Sequence, residues 1–159
     1  MGGDDPFSGP APQRPRGPRL REMYRRLILI IPGKLETVPN RLSKTPGETQ
    51  ERMTADVIVL DGGPINYGGK PEAKIPVPHD KVANVPYVAK AMFISGVGLV
   101  SQCRDALDRR RQGLPGMVLG RLTVGEASGD KEPPWLLEPP TDADKALARQ
   151  YLSTVDPFA

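Results

Sequence analysis

The sequence predicts a mainly β protein: a small β-barrel with one or two helices, long Gly/Pro loops and a disordered N-terminal arm. Proline and glycine are abundant, with 19 and 17 residues in a chain of 159. Short apolar runs, several of them β-branched, lie between the Pro/Gly stretches, as is typical of strands joined by turns. A chain of this length supports about one domain.

Three strands are predicted in the first two thirds of the chain, each from an apolar run that a turn signal ends. Leu27–Ile31 is a run of five aliphatic residues before a Pro-Gly pair, which indicates a buried strand. Met53–Leu60 ends at an Asp-Gly-Gly-Pro turn. Val85–Ile94 is a weaker strand, because two alanines interrupt it. Residues 34–52 and 61–85 are predicted to be long loops.

The clearest helix is predicted over residues 97–111, where apolar side chains recur on one face and Gly113 follows. Cys103 lies on that apolar stripe, so we expect a buried structural thiol.

Two further strands and a last helix complete the predicted domain. Met117–Val124 forms the fourth strand, in which Gly120 indicates a bulge or a close approach of another backbone. Trp135-Leu136-Leu137 forms a short fifth strand. A helix begins at Thr141, because Thr141 with Asp144 has the spacing of a capping box.

The chain therefore has four predicted parts. They are a disordered basic arm (1–19), a barrel domain (20–140), a C-terminal helix (141–152) and a flexible tail (153–159).

The charge distribution favours a polyanionic ligand. Residues 1–125 hold 19 basic and 12 acidic side chains, whereas residues 126–159 hold 3 and 7. A basic body with an acidic end suits a polyanion binder, although an uneven surface charge without function explains it equally well. The single cysteine excludes an intrachain disulfide, and no apolar run is long enough for a membrane span. A soluble protein of the cytoplasm is therefore expected, without a membrane partner.

Catalysis and metal binding are not predicted. His79 is the only histidine and lies in a Gly/Pro loop, and Cys103 has no second cysteine as a metal-binding partner. We therefore expect neither an enzyme nor a cofactor nor a metal site.

A single-stranded nucleic acid is bound by a basic groove with aromatic side chains on which bases stack. Basic and aromatic residues are interleaved in this way along the chain. The predicted DNA-binding residues are Tyr24, Arg25, Arg26, Lys34, Arg41, Arg52, Tyr67, Lys74, Tyr87, Lys90, Phe93 and Arg121. For each tyrosine a packing role is at least as well supported.

The C-terminal Asp156-Pro157-Phe158 resembles the acidic, Pro-Phe-ended tip of bacterial single-stranded-DNA-binding proteins. The resemblance implies that these three residues bind replication or recombination proteins, with Phe158 as an apolar anchor. The sequence departs from the family pattern, since one acid precedes the proline and Ala159 follows Phe158.

The order of the predicted elements, with a helix between the third and fourth strands, fits an OB-fold barrel. Taken as a whole, residues 20–152 resemble the single-stranded-DNA-binding proteins of actinobacterial phages. The similarity lies in the order of a few segments, namely Leu27–Ile31 with Pro32, the Lys34-Leu35-Glu36 segment, Thr54–Val57 with Leu60-Asp61-Gly62, Leu119–Leu122, Pro134–Leu137 and the Thr141–Ala148 helix. It implies a location in the bacterial host cell and DNA bound across strands one to three.

The leading hypothesis is thus a non-enzymatic protein that binds single-stranded DNA in phage replication or recombination. The main alternative is a phage virion protein, such as a capsid-decoration, head–tail adaptor or tail component, whose Pro/Gly arms order on assembly. A third is a regulator that displays its Asp-Pro-Phe ends to a host protein. The pattern does not distinguish a monomer from a homo-oligomer, or DNA from RNA.

Overall fold

The structure is a computed structural model that describes residues 17–40, 45–68, 81–126 and 133–158. These residues form a short 3-10 helix, seven strands and three helices. In chain order they are the 3-10 helix Leu20–Met23, β1 Leu27–Pro39, β2 Thr49–Val59, β3 Ile65–Tyr67, β4 Lys81–Ala83, β5 Tyr87–Ser95, α1 Val97–Gln102, α2 Arg104–Arg111, β6 Val118–Val124, β7 Trp135–Glu138 and α3 Asp142–Leu152. The predicted mainly β fold class is confirmed.

Five strands form one antiparallel sheet in the order β5-β2-β1-β6-β7. The closed barrel expected from the sequence is wrong, because in the described part of the chain β5 and β7 are free edges of an open sheet. Helix α1 follows β5 directly and packs against β7, β2 and β5. The helix therefore contacts both edge strands of the sheet, β5 and β7.

The hairpin of β1 and β2 extends beyond the apolar runs. Residues 34–39 and 49–52, predicted as loop, continue the two strands. Residues 34–39 pair with residues 49–54, from Lys34 with Thr54 to Pro39 with Thr49. Their burial alternates between exposed and half-buried positions, so no continuous apolar run marks them. A bulge at Gly33 separates this extension from the buried half of the hairpin.

Both faces of the buried half of β1 are covered. Ile28 and Ile30 join the main core, which includes Met53 and Val57 of β2 and Leu99 of α1. On the other face a second cluster packs β1 against α3 and the residues that follow it; its buried members are Leu27, Leu29, Ile31, Ile58, Leu60 and Ala148. The five aliphatic residues are thus buried on both sides of the sheet, as the run predicts.

Strand β5 contains a β-bulge, and the alternation of its side chains between the two faces of the sheet is shifted by one residue across the bulge. Ala55 pairs with Met92 but Val57 pairs with Ala89, so β5 has one more residue than β2 in this interval. Ala91 has a φ of 53°, and its N–H donates to the Asp56 carboxylate rather than to the ladder. Side chains on either side of this bulge therefore do not follow simple even–odd counting.

The predicted helix over residues 97–111 and the predicted loop over residues 61–85 differ from their predictions in detail. The helix over 97–111 is two helices, with Cys103 as the junction. Cys103 is buried, as predicted, and burial raises the pKa of its thiol to about 11. The predicted loop 61–85 contains the β3–β4 hairpin, and residues 69–80 lie outside the described part.

Gly120 marks a close approach of backbones, one of its two predicted roles. A Cβ at this position would lie 2.8 Å from both the Glu138 carbonyl oxygen and the Leu137 Cβ. Within the residues described, no helix combines the length and the apolar character needed to cross a membrane.

The capping box of α3 is confirmed. The Asp144 N–H donates to the Thr141 Oγ1 at 3.1 Å, and the Thr141 N–H donates to the Asp144 carboxylate at 3.0 Å. Arg121 also donates to this carboxylate. The backbone hydrogen bond from Thr141, followed by the bonds from Arg121 and the Thr141 side chain, lowers the pKa of Asp144 below its ordinary value of 3.8.

This lowered pKa predicts a loss of stability in acid. A carboxylate with a depressed folded pKa adds stability above its unfolded pKa and loses it as pH falls through the folded value. The free energies of unfolding in urea of the wild type and Asp144→Asn should therefore differ at pH 7 and approach each other as the pH falls below about 3.9, the ordinary pKa of an aspartate. Asp142→Asn, on an exposed neighbour, is the control. Parallel curves for the wild type and Asp144→Asn across this range would contradict the prediction.

Candidate nucleic-acid interface

Five side chains form a continuous surface on the α3 side of the sheet, at the distal half of the β1–β2 hairpin. Thr54 pairs with Lys34 on one side and with Phe93 on the other, and Arg52 pairs with Glu36. Paired residues of adjacent strands point to the same face, and this face is opposite to that of Met53 and Ala55 in the main core. We call this surface the open patch: Lys34, Glu36, Arg52, Thr54 and Phe93.

The centre of the open patch is an arginine stacked on an aromatic ring. The guanidinium carbon of Arg52 lies 4.2 Å from the Phe93 ring centroid, and Phe93 is 45% exposed. Arg52 also donates to Glu36 at 2.8 Å, and this bond is the main cause of the lowered pKa of Glu36. Two contacts thus hold the Arg52 guanidinium against a partly exposed aromatic ring.

Two lysines flank this stack. The Lys34 ammonium lies 3.8 Å from Glu36, and the Lys90 ammonium lies 3.3 Å from Asp56. The lysine side chains are 73% and 72% exposed, respectively. Exposed ion pairs of this kind contribute roughly 0–1 kcal/mol. The lysines can therefore exchange these carboxylates for phosphate groups at little cost.

Two of the predicted DNA-binding arginines have internal partners instead. Arg26 donates to the backbone carbonyls of Asp61, Gly63 and Pro64. Arg121 lies 2.9 Å from the Asp61 carboxylate and 2.8 Å from that of Asp144, and it also donates to the Arg25 carbonyl. Both guanidiniums tie separate segments together, so their assignment to the DNA-binding surface is not supported by the structure.

Tyr24 and Arg25 lie at the junction of the 3-10 helix and β1. The Tyr24 ring contacts Trp135 edge to face at 6.2 Å, and the Arg25 guanidinium lies 5.2 Å from the Tyr24 ring. Trp135 packs against the main core. This aromatic pair therefore belongs to the core side of the sheet, away from the open patch.

Tyr67 and Tyr87 also pack against the main core. Burial, with a smaller contribution from Tyr67, raises the pKa of Tyr87. Tyr87 pairs with Val59, a core residue, whereas Phe93 pairs with Thr54. The bulge in β5 thus places Tyr87 and Phe93 on opposite faces of the sheet, so the two rings do not share one surface.

The structure therefore brings together four of the twelve predicted residues: Lys34, Arg52 and Phe93 in the open patch, with Lys90 beside it. Arg41 and Lys74 lie outside the described residues. In the predicted partner-binding tail, Asp156 accepts a hydrogen bond from the Phe158 N–H. The Phe158 ring is half-buried against the second cluster, with the Arg110 guanidinium 4.8 Å from its centroid, so the ring packs on the domain.

A groove of about 1160 Å³ runs along β5, on the side where no other strand of the described residues pairs with it. One wall is the segment Gly17–Arg21, and the other is Tyr87–Phe93. Arg19 and Arg21 belong to this wall but are absent from the predicted site residues. Arg19 falls in the predicted disordered arm (1–19), and only its position opposite β5 distinguishes it from other arginines.

No protein-family model, no curated protein and no solved structure matches the chain.

Proposed function

We propose that the protein binds single-stranded DNA, without sequence preference and without catalysis, across the open patch. The observation that carries the proposal is the Arg52–Phe93 stack with Lys34 and Lys90 beside it. Bases stack on aromatic rings and on guanidinium planes, and lysines hold the phosphates. A base stacked on Arg52 would continue the stack that Phe93 begins.

The architecture is compatible with an OB-type fold. Helices α1 and α2 lie between the third and fourth strands of the five-stranded sheet, and OB folds are partly open five-stranded barrels that bind oligonucleotides on strands two and three. In this chain the corresponding strands are β2 and β5, which carry Arg52 and Phe93. The fold assignment is part of the proposal.

The direct test is fluorescence anisotropy of fluorescein-labelled dT20 with the wild-type protein at 50 and 200 mM salt. We expect an affinity that falls steeply with salt, because phosphate contacts release counterions. Unrelated sequences of the same length should bind about equally, and a parallel titration with U20 compares DNA with RNA. Micromolar or weaker binding without a salt dependence would overturn the proposed function.

Phe93→Ala locates the binding surface. Loss of one stacked base costs roughly 1–3 kcal/mol, so the dT20 affinity should fall by about 5- to 150-fold. Leu114→Ala is the matched control, because Leu114 is 47% exposed and lies after α2. If both variants bind dT20 as tightly as the wild type, the open patch is not the binding surface.

A further inference from the structure

The groove beside β5 is lined by positively charged side chains, as nucleic-acid binding sites are. Within the described ranges its charged lining residues are Arg19, Arg21 and Lys90, and none of the described lining residues is a carboxylate. Among the described residues neither Arg19 nor Arg21 forms an ion pair. The two arginines therefore differ from Lys90 and from the cations of the open patch, each of which faces a carboxylate.

The rest of the groove lining is mostly apolar. Val88, Ala89, Ala91 and Met92 line it between Tyr87 and Phe93. The opposite wall lies close to the Tyr87 end, since a Cβ at Gly17 would fall 2.0 Å from the Tyr87 hydroxyl oxygen. At the other end Phe93 is shared with the open patch. The groove is thus a continuation of the open patch around the edge of the sheet.

A peptide strand or a second copy of β5 fits this edge poorly. Addition of a strand requires an uninterrupted row of backbone donors and acceptors. The bulge at Lys90 and Ala91 breaks that row, and the Ala91 N–H is already bonded to Asp56 at 2.9 Å. An extended polyanion with apolar bases needs no such row and matches the cationic, apolar lining.

We propose that a single DNA strand bound at the open patch passes Phe93 and enters the β5 groove, where Arg19 and Arg21 bind its phosphates. This inference rests on the proposed function, and it adds a second cationic wall and two binding residues. The segment Gly17–Arg21 and β5 would enclose the strand from both sides.

The test compares two double variants that remove equal charge, Arg19→Ala/Arg21→Ala and Arg109→Ala/Arg111→Ala. The control pair lies in the last turn of α2 and is exposed. For dT20 at 50 mM salt we expect roughly tenfold weaker binding for the first variant, and a salt slope smaller by about 1.4, from two single-strand phosphate contacts. The control should keep the wild-type slope, and Arg19→Lys/Arg21→Lys should bind nearly as the wild type.

Hydrogen exchange on the wild-type protein gives a readout that needs no variant. We expect dT20 to slow exchange in peptides over residues 17–24 and 87–95, and to leave α2 unchanged. If dT20 binds but Arg19→Ala/Arg21→Ala matches its control, or if protection is confined to β1 and β2, the groove proposal fails while the proposed function stands. A wild type that does not bind dT20 overturns both.

If a second copy of the chain occupied the β5 groove instead of DNA, the oligomeric state would reveal it. Light scattering would then show a wild-type dimer that Arg19→Ala/Arg21→Ala converts to a monomer with unchanged affinity for dT20. That result would overturn the proposal.

Discussion

Arg121→Met is expected to destabilise the folded protein by about 2–3 kcal/mol, since loss of one partner leaves buried or half-buried charges uncompensated. The Arg121 guanidinium bridges Asp61, next to β2, and Asp144, in the first turn of α3. Asp61 also accepts a hydrogen bond from the Leu27 N–H at 2.7 Å. Methionine keeps much of the aliphatic part of the arginine side chain, so the loss of stability measures the contribution of the guanidinium alone.

The free energy of unfolding from urea denaturation measures this effect. Arg111→Met is the control, because Arg111 and Asp108 form an exposed pair at 3.7 Å, and such pairs contribute roughly 0–1 kcal/mol. Folded Arg121→Met should bind dT20 like the wild type. A stable variant with weakened DNA binding would instead restore Arg121 to the binding surface.

Leu29→Ala is expected to destabilise the protein by about 3 kcal/mol, from lost burial and the cavity that remains. Leu29 is 1% exposed and belongs to the cluster between β1 and α3. The half-buried Leu147, Tyr151 and Phe158 pack against this cluster, so the substitution should also loosen α3 and the C-terminal ring.

Chemical denaturation again gives the measurement, with Leu114→Ala as a same-type control. An exposed side chain of this kind contributes within about 0.5 kcal/mol. If Leu29→Ala lowers the free energy of unfolding no more than the control, α3 does not cover β1 in solution.

The strands and helices were predictable where the information is local. The aliphatic run of β1, the Thr141–Asp144 cap and the apolar stripe around Cys103 each specify their element within a few residues. The outer half of the β1–β2 hairpin was missed, because it is supported by cross-strand contacts such as that of Arg52 with Glu36. Those contacts depend on strand register, which composition does not reveal.

The candidate site was harder to predict, because arginines look alike in sequence. Arg52 and Arg121 both lie in strands, yet one stacks on an exposed ring and the other joins two distant aspartates. Only the fold brings Asp61 and Asp144 to Arg121. Likewise, Tyr87 and Phe93 are six residues apart, a spacing that would place both side chains on one face of a regular strand. The bulge between them places the two side chains on opposite faces.

That bulge also bears on how the protein avoids self-association. A sheet that does not close leaves edge strands whose backbone groups can recruit other chains, the first step toward cross-β aggregates. In the middle of β5, the positive φ of Ala91 and the exposed, charged Lys90 interrupt the row of backbone groups with which another strand would pair. The irregularity that separates the two aromatic rings thus also disfavours fibre-like growth at an edge with which no described strand pairs.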